Sequence, residues 1–218
     1  MDVIFGNLDL WSEGITYTLL VFFFGGIIAL VLGIIVGAMR VSPVPIARAV
    51  GTVYVNLVRN TPLTLVFFFF VFGYSALALP TLSNTILGIM AIGVYTATYV
   101  AETLRAGINT VPVGQAEAAR AIGLPFGQVM SQIVLPQAFR SVVPPMMSVF
   151  IALLKNTTVA AGFSIAVLPQ LQSTISNSHD RPGSPMAVLL WVAVIFIALV
   201  LLLTWLQRTL ENRWRIAR

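Results

Sequence analysis

Three ionisable side chains stand inside or at the ends of strongly apolar runs of this 218-residue chain: Arg59, Glu102 and Lys155. A charge in hydrocarbon is costly, so each requires an opposite charge or a wet cavity. Thr61, Asn156 and Thr157 lie beside them in sequence and add neutral hydrogen-bonding groups. Two cations against one carboxylate leave a net positive lining, which favours a solute that carries a carboxylate. A second reading stands beside that one. Glu102 could neutralise Arg59 or Lys155 and fix helix packing without touching any solute.

Other chemistries fit the residues less well. Gly162-Phe163-Ser164 with His179 resembles the nucleophile and base of an intramembrane serine protease, but His179 falls in a Pro/Gly/Ser-rich loop rather than in an apolar run. A nucleophile whose base lies at another depth is not activated, so no catalytic residue is assigned and His179 reads as a solvated loop residue. A phosphate-binding G-x-x-x-x-G-K-[ST] loop is absent, because the single lysine, Lys155, is followed by Asn156. The chain is therefore expected to bind neither ATP nor any other cofactor. With no cysteine it has no disulfide and no Cys-based metal site, and no metal ligands are assigned. A self-contained channel or secondary carrier would account for the embedded charges, but the inverted repeats that usually mark one are not visible.

The elements that must position these residues are membrane spans. The chain is 58% hydrophobic and 9% charged, with a mean hydropathy of +0.96, whereas soluble domains carry about 25% charged residues. Apolar runs long enough to cross a core of about 30 Å occupy 17–39, 50–74, 85–104, 140–164 and 186–206. The acidic segment 1–13 has no basic residue and so lacks the positive region of a secretory signal, which leaves the first span retained. Within it Gly25, Ala29, Gly33 and Gly37 fall four apart, a small-residue stripe suited to close helix approach. Pro43 and Pro45 are expected to keep 40–48 as a non-helical basic connector. The second span carries Arg59-Asn60-Thr61-Pro62; at about 1.5 Å per residue from Arg48, Arg59 falls well inside the bilayer. Pro144-Pro145 should kink the fourth span early, and 170–185 reads as a loop.

Five spans put the termini on opposite faces. Arg40, Arg48, Arg105, Arg120, Arg140 and the tail arginines Arg208, Arg213, Arg215 and Arg218 share one face, while the other carries Arg181 among Asp2, Asp9, Glu13 and Asp180. The positive-inside rule makes the arginine-rich face cytoplasmic, with the N-terminus outside and the C-terminus inside. The net charge of +5 is thereby explained by membrane topology and not by nucleic-acid binding.

Between the third and fourth spans lies a polar interval, 106–139, with no run long enough to cross. Residues 113–122 read as a short Ala-rich helix, Gly123-Leu124-Pro125 breaks it, and Pro125 opens a second helix to about residue 135. Glu117 and Arg120 are placed to pair on the surface, a contact of about 0.3–0.5 kcal/mol. The spacing Glu117-Ala118-Ala119, Gly123, then Ile133-Val134-Leu135-Pro136 resembles the EAA loop of permease subunits of bacterial ATP-binding-cassette importers. Arg105-Ala106-Gly107-Ile108, Gly114-Gln115 and Pro136-Gln137-Ala138 are similar to the polar-amino-acid branch. The runs 39–44, 54–64 and 155–158 look most like actinobacterial glutamate importers, although the family usually reads Arg-Gly-Thr-Pro where this chain has Arg59-Asn60-Thr61-Pro62.

The resemblance implies one all-α transmembrane domain over 1–218, of five helices with a cytoplasmic coupling helix–turn–helix, in a bacterial cell membrane. It implies that Glu117, Ala118, Ala119, Gly123, Ile133, Leu135 and Pro136 couple to a separate ATPase dimer, which would hold the ATP and Mg. It also implies a second permease subunit, identical or paralogous, and an extracytoplasmic substrate-binding protein. Five helices are few to enclose a path, so the second permease copy is expected to pack partly on the small-residue stripe of the first span. Glutamate is the expected amino acid, with glutamine or aspartate next.

Overall fold

A computed structural model describes residues 6–77, 79–177 and 184–214. His179, Asp180, Arg181, Arg215 and Arg218, together with Asp2, lie outside the described residues. The described chain is helical: α1 (Leu8–Val41), α2 (Pro45–Arg59), α3 (Leu63–Ala76), α4 (Asn84–Asn109), α5 (Val113–Ala121), α6 (Phe126–Phe163), α7 (Leu171–Ser176) and α8 (Pro185–Trp214). α1, α4, α6 and α8 are each long and apolar enough to cross a membrane, and the pair α2–α3 makes a fifth, broken span.

The core is the parallel pair α1 and α4, with α6 antiparallel to both. Contact is close because one helix offers glycine where the other offers a branched side chain. A Cβ on Gly25 would lie 2.6 Å from Ile92 Cγ2, one on Gly93 would lie 2.6 Å from Ile28 Cγ2, and Gly33 faces Val100 in the same way. Ala29 is fully buried in this seam. The small-residue stripe is therefore consumed inside the chain by α4, and the expectation that a second permease copy packs on it is corrected. A larger side chain at Gly33 would overpack the seam, at a cost of about 1–3 kcal/mol. The opposite face of α1 exposes Phe23, Phe24, Ile27, Val31, Ile34 and Ile35, a continuous apolar surface suited to lipid.

The connector after α1 is shorter than expected, since α2 begins at Pro45 with proline in the first turn. Proline lacks the N–H that the first helical turn leaves unpaired anyway, so it starts this helix and does not prevent it. The second span is not continuous: α2 and α3 meet at 102° across residues 60–62. Pro62 excludes the helical conformation for Thr61 and removes one backbone donor. The Thr61 N–H turns to the Val58 carbonyl at 3.2 Å, and the Leu57 carbonyl it would otherwise serve accepts from Thr61 Oγ1 at 2.8 Å. Tyr54 Oη donates to the Val94 carbonyl at 2.7 Å and holds α2 against α4.

The fourth span also differs from expectation. The helix after the turn at 123–125 does not stop near residue 135; it continues through a π turn (Val129–Val134) into an α segment (Leu135–Asn156) and a 3₁₀ end (Thr157–Phe163). The ring of Pro136 crowds the carbonyl four residues back, at Gln132, and supplies no N–H to it, which accounts for the widened turn there. Pro144 and Pro145 lie inside the α segment without ending it. The expected loop from 170 is helical at first, as α7. At the far end Thr18 joins α1 to this region: its buried Oγ1 accepts from the Leu168 N–H at 3.0 Å and donates to the Gly14 carbonyl at 2.8 Å.

Candidate functional site

On α4 the side chains of Tyr95 and Tyr99 fall four apart and share a face, and their hydroxyls are hydrogen bonded at 2.9 Å. Opposite them on α6, Ser148, Ala152 and Asn156 repeat at the same interval. Between the two faces lies a cavity of about 380 Å³, within the range of small-molecule sites. Thr96 lines it too, and its Oγ1 is buried with no hydrogen-bond partner among the described residues. An unpaired hydroxyl in such a place costs about 1–3 kcal/mol unless something polar reaches it. The Arg59 guanidinium, which does not line the cavity itself, sits 5.3 Å from the ring centroid of Tyr99, an arrangement worth about 0.5–2 kcal/mol. Arg59 is exposed and makes no ion pair among the described residues.

The residues singled out from the sequence divide into two sets. Asn156 lines the cavity, and Arg59 reaches it only through the ring of Tyr99. Thr61 lies at the α2–α3 break with its hydroxyl bonded to Leu57. Thr157 is fully buried and donates to the Leu154 carbonyl at 2.7 Å. Lys155 is exposed on the neighbouring face of α6 and makes no ion pair among the described residues. Glu102 meets neither Arg59 nor Lys155, so the pairing expected for it is corrected. Its carboxylate bridges Arg40 on α1 and Arg105, with Arg105 Nε donating at 3.1 Å. The parallel packing of α1 and α4 puts Arg40 and Glu102 at the same level, while Arg59 and the tyrosines lie further along. Ser164 ends the 3₁₀ segment in the left-handed region, φ 58°.

The hairpin is built around a small core of Ala119, Val129 and Val134, with Ala116, Leu124 and Ile133 packed on it. Its bend depends on Gly123, whose φ is +89°. The Gly123 N–H donates to the Arg120 carbonyl at 2.9 Å and the Leu124 N–H to the Ala119 carbonyl at 3.1 Å, a left-handed cap that satisfies the last carbonyls of α5. Pro125 is the residue before the second helix, with ψ 157°, and Phe126 is its first. Glu117, Ala118 and Gly123 face outward beside exposed Val113, Ile122 and Phe126. Ala119 is 5% exposed, so it shapes the hairpin and does not meet a partner directly. Glu117 and Arg120 make no ion pair among the described residues, so the alternative reading of Glu117 as a surface partner of Arg120 has no support. Gln137 Nε2 donates to Gln115 Oε1 at 2.6 Å and to the Ile133 carbonyl at 2.9 Å, tying α5 to α6.

Residues 29–216 match the family described as the binding-protein-dependent transport system inner membrane component. The chain belongs to this permease family. It is a membrane-transport subunit and not an enzyme. The glutamate transport system permease protein GluC of Corynebacterium efficiens is 45% identical over 161 residues, covering 68% of this chain and 71% of that protein. The probable glutamine ABC transporter permease protein GlnM of Bacillus subtilis is 34% identical over 221 residues, 98% of this chain and 99% of that one. The permease also superposes on a chain of a crystal structure of an amino acid ABC transporter with histidines, at 26% identity and a TM-score of 0.87 over 96% of each chain.

Four polar residues that line the permease's cavity were not marked by sequence reasoning: Tyr95, Thr96, Tyr99 and Ser148. The signal was present for two of them, since tyrosines four apart within a span put two hydroxyls on one face. Thr96 and Ser148 gave none, because a lone small hydroxyl in a membrane helix ordinarily bonds back to its own backbone. The link between Gln115 and Gln137 was equally hidden. Both residues belonged to quoted motifs, yet only the fold brings them into contact.

Proposed function

We propose that this permease is the translocating subunit of an amino-acid importer and that its substrate is glutamate. Arg59 carries the reading: a guanidinium without a counter-charge among the described residues, stacked on a tyrosine of a cavity whose walls offer hydroxyls, an amide and an unsatisfied threonine. A dicarboxylic amino acid supplies the missing negative charge, and its ammonium can lie against the tyrosine faces. The 45% identity to a glutamate permease supports the same substrate, and glutamine is the alternative that the second relative favours.

In this reading the hairpin and the C-terminus face the cytoplasm and the N-terminus faces outward. An ATPase dimer, holding ATP and Mg, grips the surface around Glu117, Ala118 and Gly123. Ile133, Leu135 and Pro136 pass its motion into α6, and a second permease copy and an external binding protein complete the path. Glu102, Thr61 and Thr157 then position helices, while Arg59 and Asn156 meet the solute and Lys155 attracts it. The test is ATP-dependent uptake into proteoliposomes holding the permease with its partner chains. Labelled glutamate should accumulate, and excess glutamine should compete weakly. Preferential uptake of glutamine would displace glutamate, and uptake without the ATPase would overturn the importer reading.

A further inference from the structure

Away from the tyrosine cavity, a larger cavity of about 680 Å³ opens between α1, α4 and α6. Its walls include Leu30 and Ile34 of α1, Leu104 and Ile108 of α4, and Phe139 and Met146 of α6; Arg140 is the one charged residue lining it. Arg140 is exposed and makes no hydrogen bond or ion pair through its side chain among the described residues. Antiparallel packing brings Val142 against Gly107, so Arg140 stands level with the end of α4. The hairpin begins there, and the Arg40–Glu102–Arg105 cluster lies close by. The cavity therefore runs from the polar boundary of the membrane into its hydrocarbon, with Leu135 and Pro136 at the hairpin end and Arg140 about one turn further along α6. Beside it lie the exposed Val31, Ile34 and Ile35 of α1.

We propose that this groove holds an anionic glycerophospholipid, with an acyl chain between α1 and α6 and the headgroup phosphate on the Arg140 guanidinium. A largely apolar wall that carries one unpaired arginine near its hairpin end fits a molecule with an apolar chain and a phosphate. A second protein helix fits less well, because it would bury the guanidinium unless it also brought an acid. Among the described acids, Asp9 and Glu13 stand at the other end of α1, Glu102 is engaged by two arginines, Glu211 accepts from Gln207, and Glu117 is exposed on the hairpin, in the surface proposed above to meet the ATPase. Leu135 and Pro136 line the same groove, so the lipid rests against the joint through which the hairpin continues into α6. Occupancy thereby stiffens the joint, whichever solute is carried.

The experiment uses the permease in complex with its partner chains, equilibrated in mixed micelles of phosphatidylglycerol and phosphatidylcholine and then analysed by native mass spectrometry. Phosphatidylglycerol should be retained in preference to phosphatidylcholine. Arg140→Gln should lower that retention roughly fivefold, the loss of one interfacial cation, and Arg140→Lys should restore most of it. Val143→Trp, which fills the groove, should abolish it. A benzophenone amino acid at Val143, on the groove wall, should yield lipid adducts. Adducts to a protein chain, or equal retention by wild type and Arg140→Gln, would overturn the proposal even if the tryptophan variant failed to fold.

Discussion

The tyrosine cavity and the hairpin are both polar interruptions of an apolar chain, and they are finished in opposite ways. Around the cavity valences are left open: among the described residues Thr96 Oγ1 has no partner and Arg59 has no counter-ion. In the hairpin the carbonyls at the end of α5 are closed by Ile122, Gly123 and Leu124, and the two helices are tied by Gln115 and Gln137. Open valences select a ligand, because they are satisfied only when it arrives. A closed and capped element transmits force instead, because it has no local rearrangement to absorb a push.

The sharpest break of this contrast is Gly123→Val. A β-branched residue at φ +89° costs about 1–2 kcal/mol or more and should collapse the cap. ATP-driven uptake should fall roughly tenfold or more while the ATPase continues to turn over, as read by parallel transport and phosphate-release assays. Gly123→Asn, which tolerates the left-handed region, should recover most of the activity. Equal loss in both variants would show that the surface at this position matters and its backbone conformation does not.

Arg59→Gln is the corresponding break at the cavity. Losing a charge-assisted contact of about 1.5–3 kcal/mol should reduce acidic amino-acid uptake tenfold or more and neutral amino-acid uptake far less. Lys155→Met should show the same bias with a smaller effect, since Arg59 lies over a ring that lines the cavity and Lys155 does not. If the order of the two were reversed, the path would lie on the other face of α6.

These contrasts also show why part of the molecule was legible in the sequence. The first, third and fifth spans and the hairpin follow from long apolar runs and from the break at Gly123, which are local signals. The 102° bend at residues 60–62 was hidden because Pro62 announces an interruption but not its angle. The partner of Glu102 was hidden for a similar reason. Only the parallel packing of α1 on α4 sets Arg40 beside it, and that packing rests on glycines whose apposed residues are sixty or more positions away. The same seam took the small-residue stripe that the sequence offered equally well to a second copy. Open valences leave no trace in sequence either, since a threonine in a span looks alike whether its hydroxyl is paired or not.

Thr96→Val gives the subtlest test, because the two plans predict opposite signs for one substitution. Removing a hydroxyl that lacks any partner relieves a buried polar group, so the substrate-free complex should become more stable, by up to about 1 kcal/mol. If the hydroxyl serves the ligand, the same change should weaken half-saturation for uptake several-fold, through a lost hydrogen bond of about 0.5–1.5 kcal/mol. Thermal unfolding of the complex and concentration-dependent uptake measure the two independently. Stabilisation with unchanged uptake would make Thr96 an ordinary packing defect and move the binding site elsewhere. Destabilisation would mean that the hydroxyl has a partner in the free permease, and the cavity would then be as closed as the hairpin.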